Sequence, residues 1–364
     1  MQRPPKLTTN INPERGHYPS EQYIPLDGVS LSSNHKKTMN FKLLKDLYKI
    51  HSESGFEGEI ICFIYRWIND NIPTAIINMD WDTGNLYITK GKAKDYPCIV
   101  AHMDQVQKYH PVDFTPVETR DIIFGYSPKD KKQCGLGADD KNGVWIALKC
   151  LEKYNNIKVA LFISEEIGCV GSGQAKMDFF DDVRFVIEPD RKGCNDMIVE
   201  ISFTELCSRD FINDVDPQKY GYMPTSGMMT DVEELKTKGL KVSCMNMSCG
   251  YYEPHTDKEY TVKKDLLKAL RFVEGIIENC TKVYPHEYTD MGGYYTCRGG
   301  YIWDDDYDEA FDLICDHLTY DPTLTPSDLH SMYHDFFPHL GLDDYASIVK
   351  DAQAYIKDEL KPAV

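Results

Sequence analysis

The stretch Cys98-Ile99-Val100-Ala101-His102-Met103-Asp104 decides the architecture, because four apolar residues end on an imidazole and then a carboxylate. A short, continuous apolar run bounded by polar residues reads as a strand buried on both faces. The same pattern returns at residues 159–163, followed by Ser164, Glu165 and Glu166. It returns again at residues 183–187, followed by Glu188, Pro189 and Asp190. Between the first two runs, Val144, Ile146, Ala147, Cys150 and Leu151 recur at helical spacing. This alternation predicts an α/β fold of three layers, a mixed sheet flanked by helices on both faces. Open α/β sheets gather their ligands outside the carboxyl ends of the strands. His102, Glu165, Glu166 and Asp190 are therefore expected to be neighbours in space although they lie far apart in sequence.

Outward from this centre, residues 44–50 and 60–68 read as helices, the second with Ile60, Ile64, Trp67 and Ile68 on one face. Residues 75–79 and 86–89 read as strands around the turn Asp82-Thr83-Gly84-Asn85. Three regions follow: a polar, Pro-dotted arm at 1–38, a catalytic domain at 39–282, and a Tyr- and Asp-rich extension at 283–364. The extension is expected to be a small helical appendage packed on the core, with helices over 308–317 and 343–360.

A chain of 364 residues can bury a large core, and no internal repeat is visible. Its 58 acidic against 40 basic residues give a formal charge of -18, which argues against nucleic acid or anionic lipid as a partner. The 12 cysteines form neither a CxxC pair nor a compact framework and read as reduced thiols. The first residues have no apolar signal core, and nowhere do about 18 apolar residues run together as a membrane span requires. A cytoplasmic location and no membrane partner are the expectations; the oligomeric state is left open.

Two further segments complete the chemistry. Asp139 follows the glycine-rich Gly135-Leu136-Gly137 at a predicted helix N-terminus, where a carboxylate is electrostatically favoured. His255 follows the apolar segment 240–247 through a loop containing Gly250. Histidine and carboxylate ligands suit zinc or a similar divalent ion, and a carboxylate shared by two ions can clamp a water against a carbonyl. Asp140 and Glu188 each adjoin a ligand position. Asp139 is favoured because it occupies the A-D-x-K position, and Asp190 because Pro189 restricts Glu188 to an extended strand end. Any one motif alone reads more simply as surface or core; five in order point to a two-metal hydrolase acting on an amide bond.

Other candidates carry less. His330 and His334 are spaced for one helix face but lack the glutamate of a HExxH site. Asp304, Asp305, Asp306, Asp308 and Glu309 lack the glycine of a calcium loop. Residues 173–182, GQAKMDFFDD, read as a helix rather than a phosphate cradle.

The segments AHMD, GADDKNG, SEEIG, EPD and a late His-x-x-x-Glu resemble the metal-binding signatures of the co-catalytic zinc aminopeptidase clan. They are closest to the peptidase T-like branch of the M20 family and similar also to the M42 and M28 families. The resemblance covers about residues 40–280 and includes HSESGFEGEI, DTGNLYI and MMTDVEELKTKGLKV. It implies two divalent ions, zinc by preference, one held by His102, Asp139 and Asp190 and the other by Asp139, Glu166 and His255. It also implies that Asp104 orients His102, that Glu165 is the general base, and that the Asp139-Asp140 peptide is cis. Only 64 residues separate Asp190 from His255, too few for the lid or dimerisation domain of that branch.

The expected activity is hydrolysis of short peptides, as an aminopeptidase or a di- or tripeptidase. The rim would be formed by Tyr251-Tyr252, Met228-Met229 and the Tyr-rich stretch after Lys282. A deacylase or carboxypeptidase of the same clan is the alternative. It would need a cation for a substrate carboxylate, for which Arg191, Lys192 and Arg209 are available. A non-catalytic binding protein on the same fold is the second alternative, and no acidic or imidazole member is missing to favour it.

Overall fold

The structure, a computed structural model, describes residues 40–201, 204–227, 229–287 and, nearer the C-terminus, 310–311, 313–315, 317–318, 322–333 and 340–359. The arm at 1–38 and the acidic run at 304–309 lie outside the described residues. Among the described residues fourteen strands are seen: β1 (Ala75–Met79), β2 (Leu86–Lys90), β3 (Tyr96–His102), β4 (Thr115–Glu118), β5 (Ile122–Ser127), β6 (Lys132–Cys134) and β7 (Ile157–Phe162). They continue with β8 (Val183–Arg191), β9 (Asp196–Ile201), β10 (Thr204–Glu205), β11 (Met223–Gly227), β12 (Cys244–Ser248), β13 (Tyr251–Tyr252) and β14 (Tyr260–Val262). The described helices are α1 (Lys42–Tyr48), α2 (Gly58–Asn71), α3 (Ala138–Lys153), α4 (Val170–Gly173), α5 (Arg209–Val215), α6 (Asp231–Thr237), α7 (Lys263–Asn279), α8 (Pro326–Tyr333) and α9 (Leu342–Glu359).

The main sheet runs β1-β2-β7-β3-β8-β12-β9-β10, with β11 also on β9. Its centre is parallel: β7, β3, β8 and β12 run the same way, while β2 and β9 join antiparallel at the flanks. Every residue of β3 and β7 is buried, so these strands read as unbroken apolar runs in the sequence. The period of two shows instead in which side of the sheet each residue serves. Ile99, Ala101, Val159, Leu161, Phe185 and Ile187 join the larger core with α1, α2, α3 and α7, whereas Cys98, Val100, Ala160, Phe162 and Val186 join the smaller one with α6. The three-layer α/β expectation is met.

Helix α3 is buried almost all round, from Ala138 to Leu151. Its polar members enter the core because each is paired. Asn142 accepts from the Tyr48 and Thr261 hydroxyls and donates to the Cys249 carbonyl, and the Lys141 ammonium donates to Ile50 O and to Gln105 Oε1. Such pairing is what makes burial of these groups tolerable.

A second sheet, β13-β14-β5-β4 with β6 on β5, was not legible in the sequence. Residues 173–182 are a correction: α4 ends at Gly173, and only the single 3-10 turn Met177–Phe180 follows, because Lys176 is extended and breaks the helix. Helices α8 and α9 pack on one another through Leu329, Tyr345, Ile348, Val349 and Ala352. Every described cysteine is free of disulfide bonding, and no described helix is long and apolar enough to cross a membrane.

Candidate metal centre

Because β3, β7 and β8 are parallel, their carboxyl ends share one edge of the sheet. His102 is the last residue of β3, Asp190 the penultimate residue of β8, and Glu165 and Glu166 stand just beyond β7. Asp139 reaches the same place from the start of α3. There Gly137 is left-handed at φ 64°, the Asp139-Asp140 peptide is cis as expected, and both aspartates depart from helical geometry. A side chain at Gly137 would meet the Gln105 carboxamide at 2.7 Å as well. His255 arrives from the loop between β13 and β14 with φ 61°.

These groups converge. His102 Nε2 lies 3.2 Å from Asp139 Oδ1 and 3.6 Å from Asp190 Oδ2, and His255 Nε2 lies 3.3 Å from Asp139 Oδ2 and 3.1 Å from Glu166 Oε2. The two oxygens of Asp139 thus face two separate clusters, His102/Asp139/Asp190 and Asp139/Glu166/His255. Each is compact enough to hold one metal ion. Glu165 Oε2 stands off at 3.8 Å from His102 and belongs to neither cluster. The neighbouring carboxylates point elsewhere: Asp140 caps the Gly143 amide, and Glu188 accepts from the Thr230 hydroxyl and the Val232 amide.

Asp104 lies behind the centre and is buried. Its Oδ1 is 3.3 Å from His102 Nδ1, in ion-pair range rather than a directed hydrogen bond, and accepts the Glu165 amide at 3.0 Å. Its Oδ2 accepts the Ser54 hydroxyl and the Glu166 amide. One carboxylate therefore faces the imidazole and fixes the backbone of both glutamates. The loop around Ser54 adds a second clamp, since Glu57 Oε1 accepts both the amide and the hydroxyl of Ser164 at 3.0 Å.

Two residues matter here that sequence reasoning did not assign to the centre. Glu259, the glutamate of the His-x-x-x-Glu pattern, is fully buried. It accepts the backbone amides of Leu136, Gly137, Ala138 and Asp139 at 2.6 to 3.0 Å. The pattern itself was the available signal. Tyr251, expected on the rim, is only 4% exposed, and its hydroxyl donates to Asp190 Oδ1 at 3.3 Å. Its place follows from pairing with Thr261, which turns the ring inward, and nothing in a Tyr-Tyr doublet announces that. Tyr252 stays partly exposed and donates to Asp265.

Electrostatics follow from crowding these carboxylates and imidazoles together. Hydrogen bonds that His255 donates to Asp139 and Glu166 hold it up at about 11. Burial opposes protonation of His102, but Asp190, Asp104 and Asp139 together keep it well above the usual imidazole range. Burial, then the charge of Asp139, lifts Glu166 to about 7 and Asp190 to about 6. Burial likewise raises Glu165, aided by Asp190, Asp231 and Glu166 and opposed by His102. Within the two clusters Asp139 alone is driven low: burial works against its charge, but the bonds from both imidazoles outweigh it. Acceptor-rich groups held this close retain protons wherever no other cation neutralises them. Glu166 Oε1 is moreover buried without a hydrogen-bond partner among the described residues. A mixed imidazole and carboxylate donor set of this kind fits a divalent ion of the zinc type.

The remaining candidates do not join this centre. His330 stacks edge-on against Tyr345 between the C-terminal helices, and His334 lies outside the described residues. Arg209 opens α5, whose Phe211 packs 5.4 Å from Phe185, five residues before Asp190 on β8. At about 3.3 Å per residue this sets α5 roughly 16 Å back from the ligand end of the strand.

No family model matches the sequence, and no curated protein matches it. Solved structures do share its fold. An aminopeptidase PepT from Bacillus cereus superposes with a TM-score of 0.56 at 17% identity, covering 66% of this chain and 97% of that one. A tripeptidase from Staphylococcus aureus gives 0.53 at 14%, covering 65% and 96%. A TET aminopeptidase from a marine sediment thaumarchaeon gives 0.50 at 12%, covering 65% and 96%.

Proposed function

We propose that this chain is a two-metal peptidase that removes N-terminal residues from short peptides. The observation that carries the proposal is Asp139, whose two oxygens each face a different histidine and a different second carboxylate. His102, Asp139 and Asp190 would hold one ion, and Asp139, Glu166 and His255 the other. Ions bound there would supply Lewis acidity toward the substrate carbonyl and lower the pKa of water. Glu165, outside both ligand clusters, is assigned the general base: it accepts a proton from the attacking water and returns it to the departing amine nitrogen. Asp104 keeps His102 and the Glu165-Glu166 backbone in register through the contacts described above.

The substrate assignment rests on charge. Carboxylates at Asp139, Glu165, Glu166 and Asp190 attract a free ammonium, whereas an N-acyl group forfeits that contact. Of the three candidate cations for a substrate carboxylate, Arg191 is already bonded to Asp196 at 3.0 Å and Arg209 lies on α5, set back from the ligand end of β8, which leaves the exposed Lys192 for the deacylase or carboxypeptidase alternative. Of the described elements between Asp190 and His255, β9, β12, β13, α5 and α6 give residues to the cores, and β11 lies exposed alongside β9.

Two measurements test this reading. Anomalous diffraction from zinc-soaked crystals is expected to give two peaks, both touching Asp139; a single peak, or a second one away from Glu166 and His255, would overturn the ligand assignment. In a panel assay the metal-loaded enzyme is expected to remove N-terminal residues from free di- and tripeptides faster than it cleaves N-acetyl amino acids or trims C-terminal residues. Faster release from N-acetyl amino acids would replace the aminopeptidase by the deacylase.

A further inference from the structure

We infer that Tyr251 positions Asp190, leaving one carboxylate oxygen for the ion on the His102 side; this rests on the two-ion reading above. The Tyr251 hydroxyl donates to Asp190 Oδ1 at 3.3 Å, while Asp190 Oδ2 faces His102 Nε2 at 3.6 Å. The two oxygens are therefore divided between a phenol and the metal cluster. Asp190 is also held at its backbone, where its amide donates to Asn246 Oδ1 at 3.3 Å. With both ends fixed, the carboxylate can neither swing away nor turn both oxygens on a single ion.

Tyr251 is itself rigidly placed. Its carbonyl accepts the Gly193 amide, Gly250 donates to Gly193 O, and Cys249 donates to Arg191 O, each at 2.9 Å. These bonds lash the segment to the end of β8, next to Asp190. Gly250 permits the approach: its φ is 86°, and a side chain there would come within 2.4 Å of the Leu266 amide nitrogen. From this anchored segment the chain runs four residues on to His255. One short stretch therefore supplies a ligand to one cluster and steadies a ligand of the other.

Partners that orient a metal ligand typically change metal affinity by about 10- to 100-fold. The test is a Co2+ titration of the apo full-length protein, followed by visible absorption, in two single-site backgrounds. His255→Ala leaves the His102/Asp139/Asp190 cluster, and His102→Ala leaves the Asp139/Glu166 side. Adding Tyr251→Phe is expected to weaken Co2+ binding about 10- to 100-fold in the first background and to change it less than about twofold in the second. Equal weakening in both would show a merely structural role, and no change in either would show none; each overturns the inference. Should the unsubstituted protein take up fewer than two Co2+ ions, the two-ion reading fails instead, and the two failures are told apart.

Discussion

Glu165→Gln is expected to lower turnover about 100- to 10,000-fold while both metal ions stay bound. The substitution keeps shape and hydrogen-bonding reach but removes the basic oxygen. Glu165 belongs to neither ligand cluster and comes no closer to His102 than 3.8 Å, so its charge can be deleted without deleting a ligand. The surroundings favour a proton acceptor here: burial, together with Asp190, Asp231 and Glu166, raises its proton affinity against the opposing effect of His102. An interaction used only in the transition state lowers kcat and kcat/KM together and leaves KM nearly unchanged. Metal content and steady-state kinetics on one preparation decide the matter. Near-normal turnover in the metal-loaded variant would remove Glu165 from the role, and loss of one ion with the activity would make it a ligand instead.

Much of the centre was legible because chemistry and fold coincide in the sequence. The apolar runs ending at His102, before Glu165 and near Asp190 are strands buried on both faces, and parallel pairing carries their ends to one edge. The second sheet was hidden because β5 alternates the wrong way for easy reading. Ile122, Phe124 and Tyr126 are the less buried face, Ile123, Gly125 and Ser127 the more buried one, so polarity does not report burial. Residues 173–182 misled in the opposite sense, since Phe179 and Phe180 lie against the smaller core from a single 3-10 turn rather than from a helix. Tyr251 and Glu259 share one reason for being overlooked. Each acts by satisfying atoms of a segment distant in sequence, and only tertiary pairing brings those atoms near.

Glu259→Gln is expected to destabilise the fold by about 2 to 6 kcal/mol and to weaken metal binding with it. Glu259 Oε2 accepts Leu136 and Gly137, and Oε1 accepts Ala138 and Asp139, all inside the protein. A glutamine keeps one acceptor oxygen and turns an NH2 group toward the other two amides, so two buried donors lose their partner at about 1 to 3 kcal/mol each. The charge that complements the start of α3 is lost as well. Because one of the four donors is the amide of Asp139, and because Glu259 lies four residues after His255, the same change loosens the shared ligand and the loop that carries the last histidine. Glu259→Ala offers the sharper comparison. It removes the carboxylate without introducing a competing donor, and water can then enter to meet the amides. The alanine variant is therefore expected to be no less stable than the glutamine variant, the reverse of the order that side-chain volume alone would give. Urea denaturation of the apo proteins, with Co2+ titration of the same samples, measures both effects. A glutamine variant within about 0.5 kcal/mol of the parent, as ordinary surface substitutions are, and with unchanged metal affinity would show that the four amides do not depend on this carboxylate.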